Sequence, residues 1–415
     1  MARHGAWCLG LTLLLAVGSQ AGAMEFVVVG EPGNVADPVY HRGNVDYIFE
    51  IGKCEITNAQ YARFLNAVAS RGDPYGLYNP SMRTGLFGGI DRTEKNGVFR
   101  YEAKADWARR PVVYISWFDL ARMANWYHYG QPHDGVSRLG TTEGTQQQGA
   151  YDTRCFPQTY TDDLDYARLP QCRNPGALYW IPSDNEWYKA AYYDPRRIGF
   201  RPYWDYAVQC CRPPNNLPPP GDEQSVNYFN GTFSVGKPYF LTEVSSYPKA
   251  VSYFGTYDMS GNVWEWIEDW KTMRIDPQRN GRITRGGSAL YTEMGLYAAN
   301  TDPLNPADEA FVFGGRLARA HTTETGQVIL PHLEQPSFPW VQGKIERLVW
   351  YHPPMKVFLV FTTAGFVAAS GLWATVWGLR VLWRRIRRRK GKVQIEPEVA
   401  AKKAATESAA EKVAT

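Results

Sequence analysis

Three times along the chain, a short apolar segment leads into a Ser or Thr and then into a run with the apolar spacing of a helix. Ser and Thr favour the N-cap position, where the side-chain oxygen accepts a hydrogen bond from the first turn. Thr57 and Ser183 are each followed three residues later by Gln or Glu, the spacing of a capping box, and Ser116 caps the helix between these two. The apolar segments predict strands at Met24–Gly30, Tyr47–Ile56, Val112–Ile115 and Tyr179–Ile181.

Each predicted helix has a single apolar face, because its apolar residues recur three and four positions apart. The three faces comprise Tyr61, Phe64, Leu65 and Val68; Leu120, Met123, Ala124 and Tyr127; and Trp187, Ala190 and Ala191. Long loops rich in Gly, Pro and aromatic residues separate these elements, and no fixed-period repeat appears. The pattern predicts an irregular, loop-rich α+β domain over residues 24–330.

Both ends of the chain have the composition of membrane-targeting segments. Residues 1–23 resemble a signal peptide, with Arg3 before the apolar run Leu9–Val17 and small residues at a cleavage site; a buried first helix is the alternative. Val357–Leu379 contains no charged residue and is long enough, at about 1.5 Å per residue, to span a bilayer. We therefore predict a linker over residues 331–355 and a transmembrane helix over residues 356–383.

Charge gives the predicted orientation in the membrane. Residues 380–415 hold 11 Lys or Arg and 4 Asp or Glu, and basic residues flanking a span stay on the cytoplasmic side. The tail, residues 384–415, is therefore expected in the cytoplasm, and the folded domain on the periplasmic or cell-surface side. Because the basic charge lies in the tail, the folded domain lacks the electrostatic footprint of nucleic-acid binding, and the tail itself is suited to anionic lipids.

Five cysteines remain once Cys8 leaves with the signal peptide. An oxidising compartment permits disulfides, and Cys155 with Cys172 would close a loop worth about 3 kcal/mol. Cys54 lies in a predicted strand and is expected to be a buried free thiol. Cys210 and Cys211 are adjacent, so a bridge between them would be strained, and their pairing stays open.

Six segments, in order, resemble the formylglycine-generating enzyme or sulfatase-modifying factor family. They are residues 51–61 (IGKCEITNAQY), 110–117 (RPVVYISW), 181–187 (IPSDNEW), 254–266 (FGTYDMSGNVWEW), 285–288 (RGGS) and 313–318 (FGGRLA). The resemblance covers residues 25–320 and implies one compact domain with a C-type-lectin-like core. In that family two cysteines after the Gly-Gly-Ser turn bind copper, and the matching positions here are Tyr291 and Leu296. Copper(I) needs soft thiolates, so copper is not expected. Iron is not expected either, because the three-histidine iron site of sulfoxide synthases needs a separate helical domain, which is not found before residue 24.

The resemblance also implies two candidate sites. A structural calcium carries over to Asp258, the carbonyls of Gly261 and Val263, and Glu265; the alternative is that the two carboxylates only cap loops. A ligand cleft carries over to Ser288, Tyr291, Tyr297 and Arg316, where aromatic and polar groups suit a glycan, a peptide or another flat ligand.

These observations favour a membrane-anchored, non-catalytic module that binds a protein partner, glycan or peptide, as a subunit of a membrane complex or alone. The alternative is a metal-dependent oxidase of the formylglycine-generating or sulfoxide-synthase type with a rearranged site.

Overall fold

The computed structural model describes residues 22–157, 164, 168–273 and 280–331. In that part of the chain, no helix is both long and apolar enough to cross a membrane. The predicted transmembrane helix and cytoplasmic tail, and almost all of the predicted signal peptide and linker, lie outside the described residues. They therefore remain predictions.

The helices begin where the capping residues predict. The helices are α1 (Asn58–Val68), α2 (Ser81–Thr84), α3 (Trp117–His128), α4 (Asp184–Tyr192) and α5 (Glu293–Leu296), with a 3-10 turn at Ala105–Trp107. Thr57, Ser116 and Ser183 each form a complete capping box with the residue three positions on. All the predicted apolar-face residues of α1, α3 and α4 are buried, which confirms the helical periodicity.

Within the described residues, the strands are mostly short and form three sheets. They are β1 (Phe26–Val29), β2 (Phe49–Gly52), β3 (Ile90–Lys95), β4 (Val98–Ala103), β5 (Tyr179–Trp180), β6 (Trp264–Thr272), β7 (Asn280–Arg285), β8 (Asp302–Leu304), β9 (Phe313–Gly314), β10 (Ala318–Thr322) and β11 (Val328–Ile329). The first sheet has the order β1-β2-β10-β11, with β5 also pairing β10; β3 and β4 form a hairpin; the third sheet has the order β8-β7-β6-β9. Mixed strands with few helices give the loop-rich α+β fold that the sequence predicts.

The predicted strand at Val112–Ile115 is wrong. Pro111 makes one isolated bridge to Thr57, and the Val112 amide donates to the carbonyl of Ile56. Tyr114 then has φ of 62°, a left-handed conformation that ends any extended run. All four residues are buried nevertheless, so the apolar pattern marks core packing rather than a strand.

Glu265 is brought to the centre of the fold by strand pairing. Strand β6 pairs with β9 in parallel, so that Glu265 lies opposite Gly314, two residues before Arg316. The largest fully buried side chains among the described residues include four arginines and five tryptophans: Arg122, Arg282, Arg285, Arg316, Trp117, Trp126, Trp180, Trp187 and Trp266. Buried charges must be paired, so the core of this domain depends on ion pairs as well as on apolar packing.

Candidate functional site

A buried ion pair lies at the predicted calcium site. Arg316 donates from Nε to Glu265 Oε2 and from Nη2 to Oε1, each at 2.7 Å. Trp187 donates from its indole nitrogen to the same Oε2 at 2.8 Å. Neither charged side chain is exposed to solvent. Both oxygens of Glu265 are thus occupied by a bidentate guanidinium, an arrangement that orients both groups.

Two more carboxylates face this ion pair. Glu55 accepts from the amide of Val263 at 3.1 Å and from the side chain of Asn262 at 2.7 Å. Asp258 accepts from the amide of Ser245 at 2.7 Å. Burial and the neighbouring negative charges raise the pKa of Glu55 well above its usual range. Burial is also the main cause that raises the pKa of Asp258 to about 6, with the charge of Glu265 adding to it.

The four predicted calcium donors do not fit calcium in this arrangement. Calcium takes six to eight oxygens at about 2.3–2.6 Å, whereas both oxygens of Glu265 bind Arg316 and one oxygen of Asp258 binds an amide. The guanidinium also places a positive charge against the carboxylate that calcium would need. Within the described ranges, no group of three or more His, Cys, Asp or Glu side chains is arranged to hold a metal ion. Calcium stays a prediction, one that requires Arg316 to move.

The Gly-Gly-Ser turn packs directly against helix α5. Gly286 and Gly287 have φ of 93° and 78°, and a Cβ on Gly287 would lie 2.7 Å from Cδ2 of Leu296. Ser288 is fully buried, and its carbonyl accepts from the amide of Tyr291. The turn therefore needs glycine, and its serine belongs to the turn and not to an open cleft.

The two positions that the resemblance assigns to copper-binding cysteines have different surroundings. Leu296 is fully buried in an apolar cluster that also contains Tyr206, Tyr228 and Cys210. Tyr291 is 39% exposed, and its ring meets that of Trp264 edge-on at 5.5 Å. One position is thus a core position, while the other presents an aromatic ring to solvent.

Of the four predicted cleft residues, the structure places Tyr291 and Tyr297 near a surface and buries Ser288 and Arg316. Tyr297 is half-buried, and its hydroxyl lies 2.6 Å from that of Tyr40. Burial and this hydrogen bond raise the pKa of Tyr40 above its ordinary range. Arg316 is a partner of Glu265, so its predicted role in lining the cleft is corrected.

Sequence reasoning missed two residues of this surface. Tyr40 is 257 positions from Tyr297, and no local pattern joins them. Met294 on α5 is 74% exposed and lies three positions after Tyr291. A large apolar residue beside a predicted aromatic cleft is a signal that the sequence did contain. We call Tyr40, Tyr291, Met294 and Tyr297 the α5 surface.

The predicted disulfide is not formed. Cys155 and Cys172 are both free thiols, as are Cys54, Cys210 and Cys211. Arg173, the residue after Cys172, is fixed in the core: its guanidinium pairs with the buried carboxylates of Glu186 and Glu268, each at 2.8 Å. Burial raises the pKa of Cys172 to about 11 and that of Cys54 to about 12. Cys54 is a free thiol, as expected, but it is half-buried and lies two residues after the end of β2 and not within a strand.

Two cavities, of about 610 and 510 Å³, flank the β3–β4 hairpin. Their walls are formed by helices α1 and α2, the hairpin and a few loop residues, and none of the four predicted cleft residues lines either of them. The larger cavity contains Arg92, whose guanidinium lies between the rings of Tyr78 and Phe99 at 4.7 and 4.9 Å.

These features define a loop-rich, C-type-lectin-like domain with a buried ion pair where the family motif lies. The family model described as "Sulfatase-modifying factor enzyme 1-like domain" matches residues 21–321. The chain belongs to this family.

Individual relatives are more distant. The chain is 23% identical over 277 residues to the serine/threonine-protein kinase Pkn1 of Chlamydia trachomatis serovar L2, covering 64% of this chain and 32% of the kinase. It is 33% identical over 96 residues to the formylglycine-generating enzyme of Thermomonospora curvata, covering 19% of this chain and 31% of the enzyme. The solved structure of CarF matches with a TM-score of 0.40 and 22% identity, over 72% of this chain and 98% of CarF. The chain spans about a third of each curated relative.

Proposed function

We propose that this protein is a non-catalytic binding or assembly module, anchored in a membrane by residues 356–383 with its folded domain outside the cytoplasm. The observation that carries the proposal is the chemistry of Tyr291 and Leu296, at the positions where the family resemblance implies copper thiolates. A phenol and a buried alkyl group cannot supply the soft ligands that copper(I) requires.

The α5 surface is the proposed ligand contact. Tyr291 and Met294 are exposed by 39% and 74%, and Tyr297, three residues after Met294, has its hydroxyl 2.6 Å from that of Tyr40. Tyrosine supplies apolar area together with a polar group at its end, which suits contact with a peptide or a glycan. The buried side chain of Leu296 and the Gly286-Gly287 turn pack against each other and support this surface from the core side.

Activity is tested by incubating the purified full chain with copper and a Cys-containing sulfatase peptide. We expect no formylglycine by mass spectrometry above a heat-inactivated control. Formylglycine that forms with the native protein alone would overturn the proposal.

One observation favours the alternative, a metal-dependent oxidase with a rearranged site. Cys210 belongs to the same buried cluster as Leu296, so a thiol does lie in this part of the core. The test compares copper bound by the parent and by Cys210→Ser at equal concentrations. Stoichiometric copper that is lost in the variant would support the oxidase, while no bound copper in either supports the binding module.

Assembly is tested by affinity purification of the full chain from native membranes in mild detergent, followed by sizing. We expect co-purifying proteins that are reduced when Tyr291→Ala and Met294→Ala are combined. A partner-free peak of monomer size would contradict a role as a complex subunit.

A further inference from the structure

The loop after helix α4 carries two large apolar side chains in solvent. Ile198 is 103% exposed and Phe200 is 83% exposed, the highest values for large apolar residues in the part of the chain that the structure describes. Gly199 stands between them with φ of 129°. Removing large apolar side chains from water is favourable, so two such side chains left in water at one loop tip indicate a missing apolar environment.

The base of this loop is closed, so the tip is presented on a defined support. The amide of Asp194 donates to the carbonyl of Pro202 at 3.0 Å, and the amide of Arg197 donates to the carbonyl of Asp194 at 3.1 Å. Tyr193 and Tyr203 form a bridge at the same level. These bonds join the two arms of the loop and leave residues 198–200 beyond them.

Arginine and aromatic rings form a belt directly below the tip. The guanidinium of Arg196 lies 4.7 Å from the centre of the Tyr253 ring, and that of Arg197 lies 3.9 Å from the centre of the Trp204 ring. Arg196 also pairs with Asp194 at 2.9 Å, which fixes its position without removing its exposed face. Trp and Tyr concentrate at the headgroup level of membranes, and basic residues favour anionic lipids.

We propose that residues 196–204 form a second membrane contact, in which Ile198 and Phe200 insert into an anionic phospholipid surface. Arg196 and Arg197 would then lie at the level of the phosphates, with Trp204 and Tyr253. A two-residue tip is small for a stable protein interface, which buries about 800 Å² per partner. Interfacial insertion needs only that apolar side chains reach about 5–10 Å into the headgroup boundary.

The proposal rests on the anchoring proposed above. About 24 residues separate Pro331 from the predicted transmembrane helix, and an extended chain of that length reaches up to about 80 Å. The tether therefore allows the domain to lie against the bilayer from which it emerges. The added contact would hold the domain to the membrane surface.

The test uses the full chain in vesicles of phosphatidylcholine with and without phosphatidylglycerol. Phe200→Cys is made together with Cys211→Ser, because the exposed Cys211 would otherwise be labelled as well. The introduced thiol carries a polarity-sensitive dye. The Cys211→Ser parent, treated in the same way, corrects for labelling of the other thiols. Leu217→Cys, at a residue that is 50% exposed, is the matched control site. We expect quenching by shallow doxyl-lipids to be at least threefold greater at position 200, greater still with phosphatidylglycerol, and reduced by Ile198→Asp.

Equal quenching at the two sites would overturn the proposal. So would a dye at position 200 that is shielded from aqueous iodide but not quenched by doxyl-lipids, because the tip would then be covered by protein. Anchoring is measured separately as resistance to extraction in alkaline carbonate. If carbonate extracts the protein but lipid still quenches the dye at position 200, the transmembrane helix is rejected and the loop contact is supported.

Discussion

Arg316 binds both carboxylate oxygens of Glu265 at 2.7 Å, and both side chains are fully enclosed. The pair joins β6 to the segment between β9 and β10, so it connects the two larger sheets. Because a buried charge that loses its partner is strongly destabilising, the fold of this domain depends on the pair.

Glu265→Gln should therefore destabilise the protein by about 3 kcal/mol, the lower end of the range for breaking a buried pair. The lower end is expected because Glu55 and Asp258 lie near Arg316, and either can lose its proton and partly neutralise the guanidinium. The measurement is the free energy of unfolding in urea at neutral pH.

The matched control is Glu25→Gln, which removes the exposed pair of Glu25 with Lys53 at 3.0 Å. Exposed pairs contribute about 0–1 kcal/mol, so this variant should resemble the parent. Equal losses in the two variants would show that Arg316 is not dependent on Glu265.

Asp258 should make the stability of the protein depend on pH. Its pKa is raised to about 6 from 3.8, so the folded protein holds this proton between those values while the unfolded chain does not. Protonated Asp258 therefore contributes to the free energy of unfolding below pH 3.8, and this contribution is lost as the pH rises through 6. Asp258→Asn, which stays neutral, should therefore be more stable than the parent at pH 7.5, by up to about 3 kcal/mol.

The readout is the difference in unfolding free energy between parent and variant from pH 4 to pH 7.5. That difference should be small at pH 4 and largest above pH 6. A variant less stable than the parent at pH 7.5 would mean that the charged form of Asp258 is needed, as a bound cation would require.

The local parts of the fold were predictable from the sequence. Thr57, Ser116 and Ser183 identified three helix starts because a capping box is encoded within four residues. The β3–β4 hairpin was missed although Asn96 and Gly97, both with positive φ, form the dipeptide most typical of a two-residue turn. The sequence therefore did contain the signal for this hairpin.

The partners within the site were not predictable in the same way. Arg316 reaches Glu265 across 51 positions, and Tyr40 reaches Tyr297 across 257. Composition and spacing identify residues able to make such contacts but cannot choose between them, because the contacts arise only when sheets pack. For that reason Arg316 was expected in a cleft and lies instead in the core.

Calcium can be tested directly against the geometry of the ion pair. If Arg316 stays bound to Glu265, the melting temperature should not change between 1 mM calcium and excess EDTA (concentrations on the order of those that saturate extracellular calcium modules). Metal analysis after dialysis should then find less than one calcium per chain. Tight calcium binding would raise stability through mass action and would require the guanidinium to leave Glu265.

The final prediction concerns the five cysteines that the structure describes, each of which should react as a free thiol. Native protein at pH 8 should show fast labelling at Cys211, which is exposed, and slow labelling at Cys54 and Cys172, whose pKa values are raised to about 12 and 11. The thiolate is the reactive species, so a raised pKa slows the reaction. After unfolding without reductant, peptide mapping should find both Cys155 and Cys172 alkylated. A Cys155–Cys172 cross-linked peptide would restore the disulfide predicted from the sequence, and Cys155→Ser should then destabilise the protein by about 2–4 kcal/mol instead of leaving it nearly unchanged.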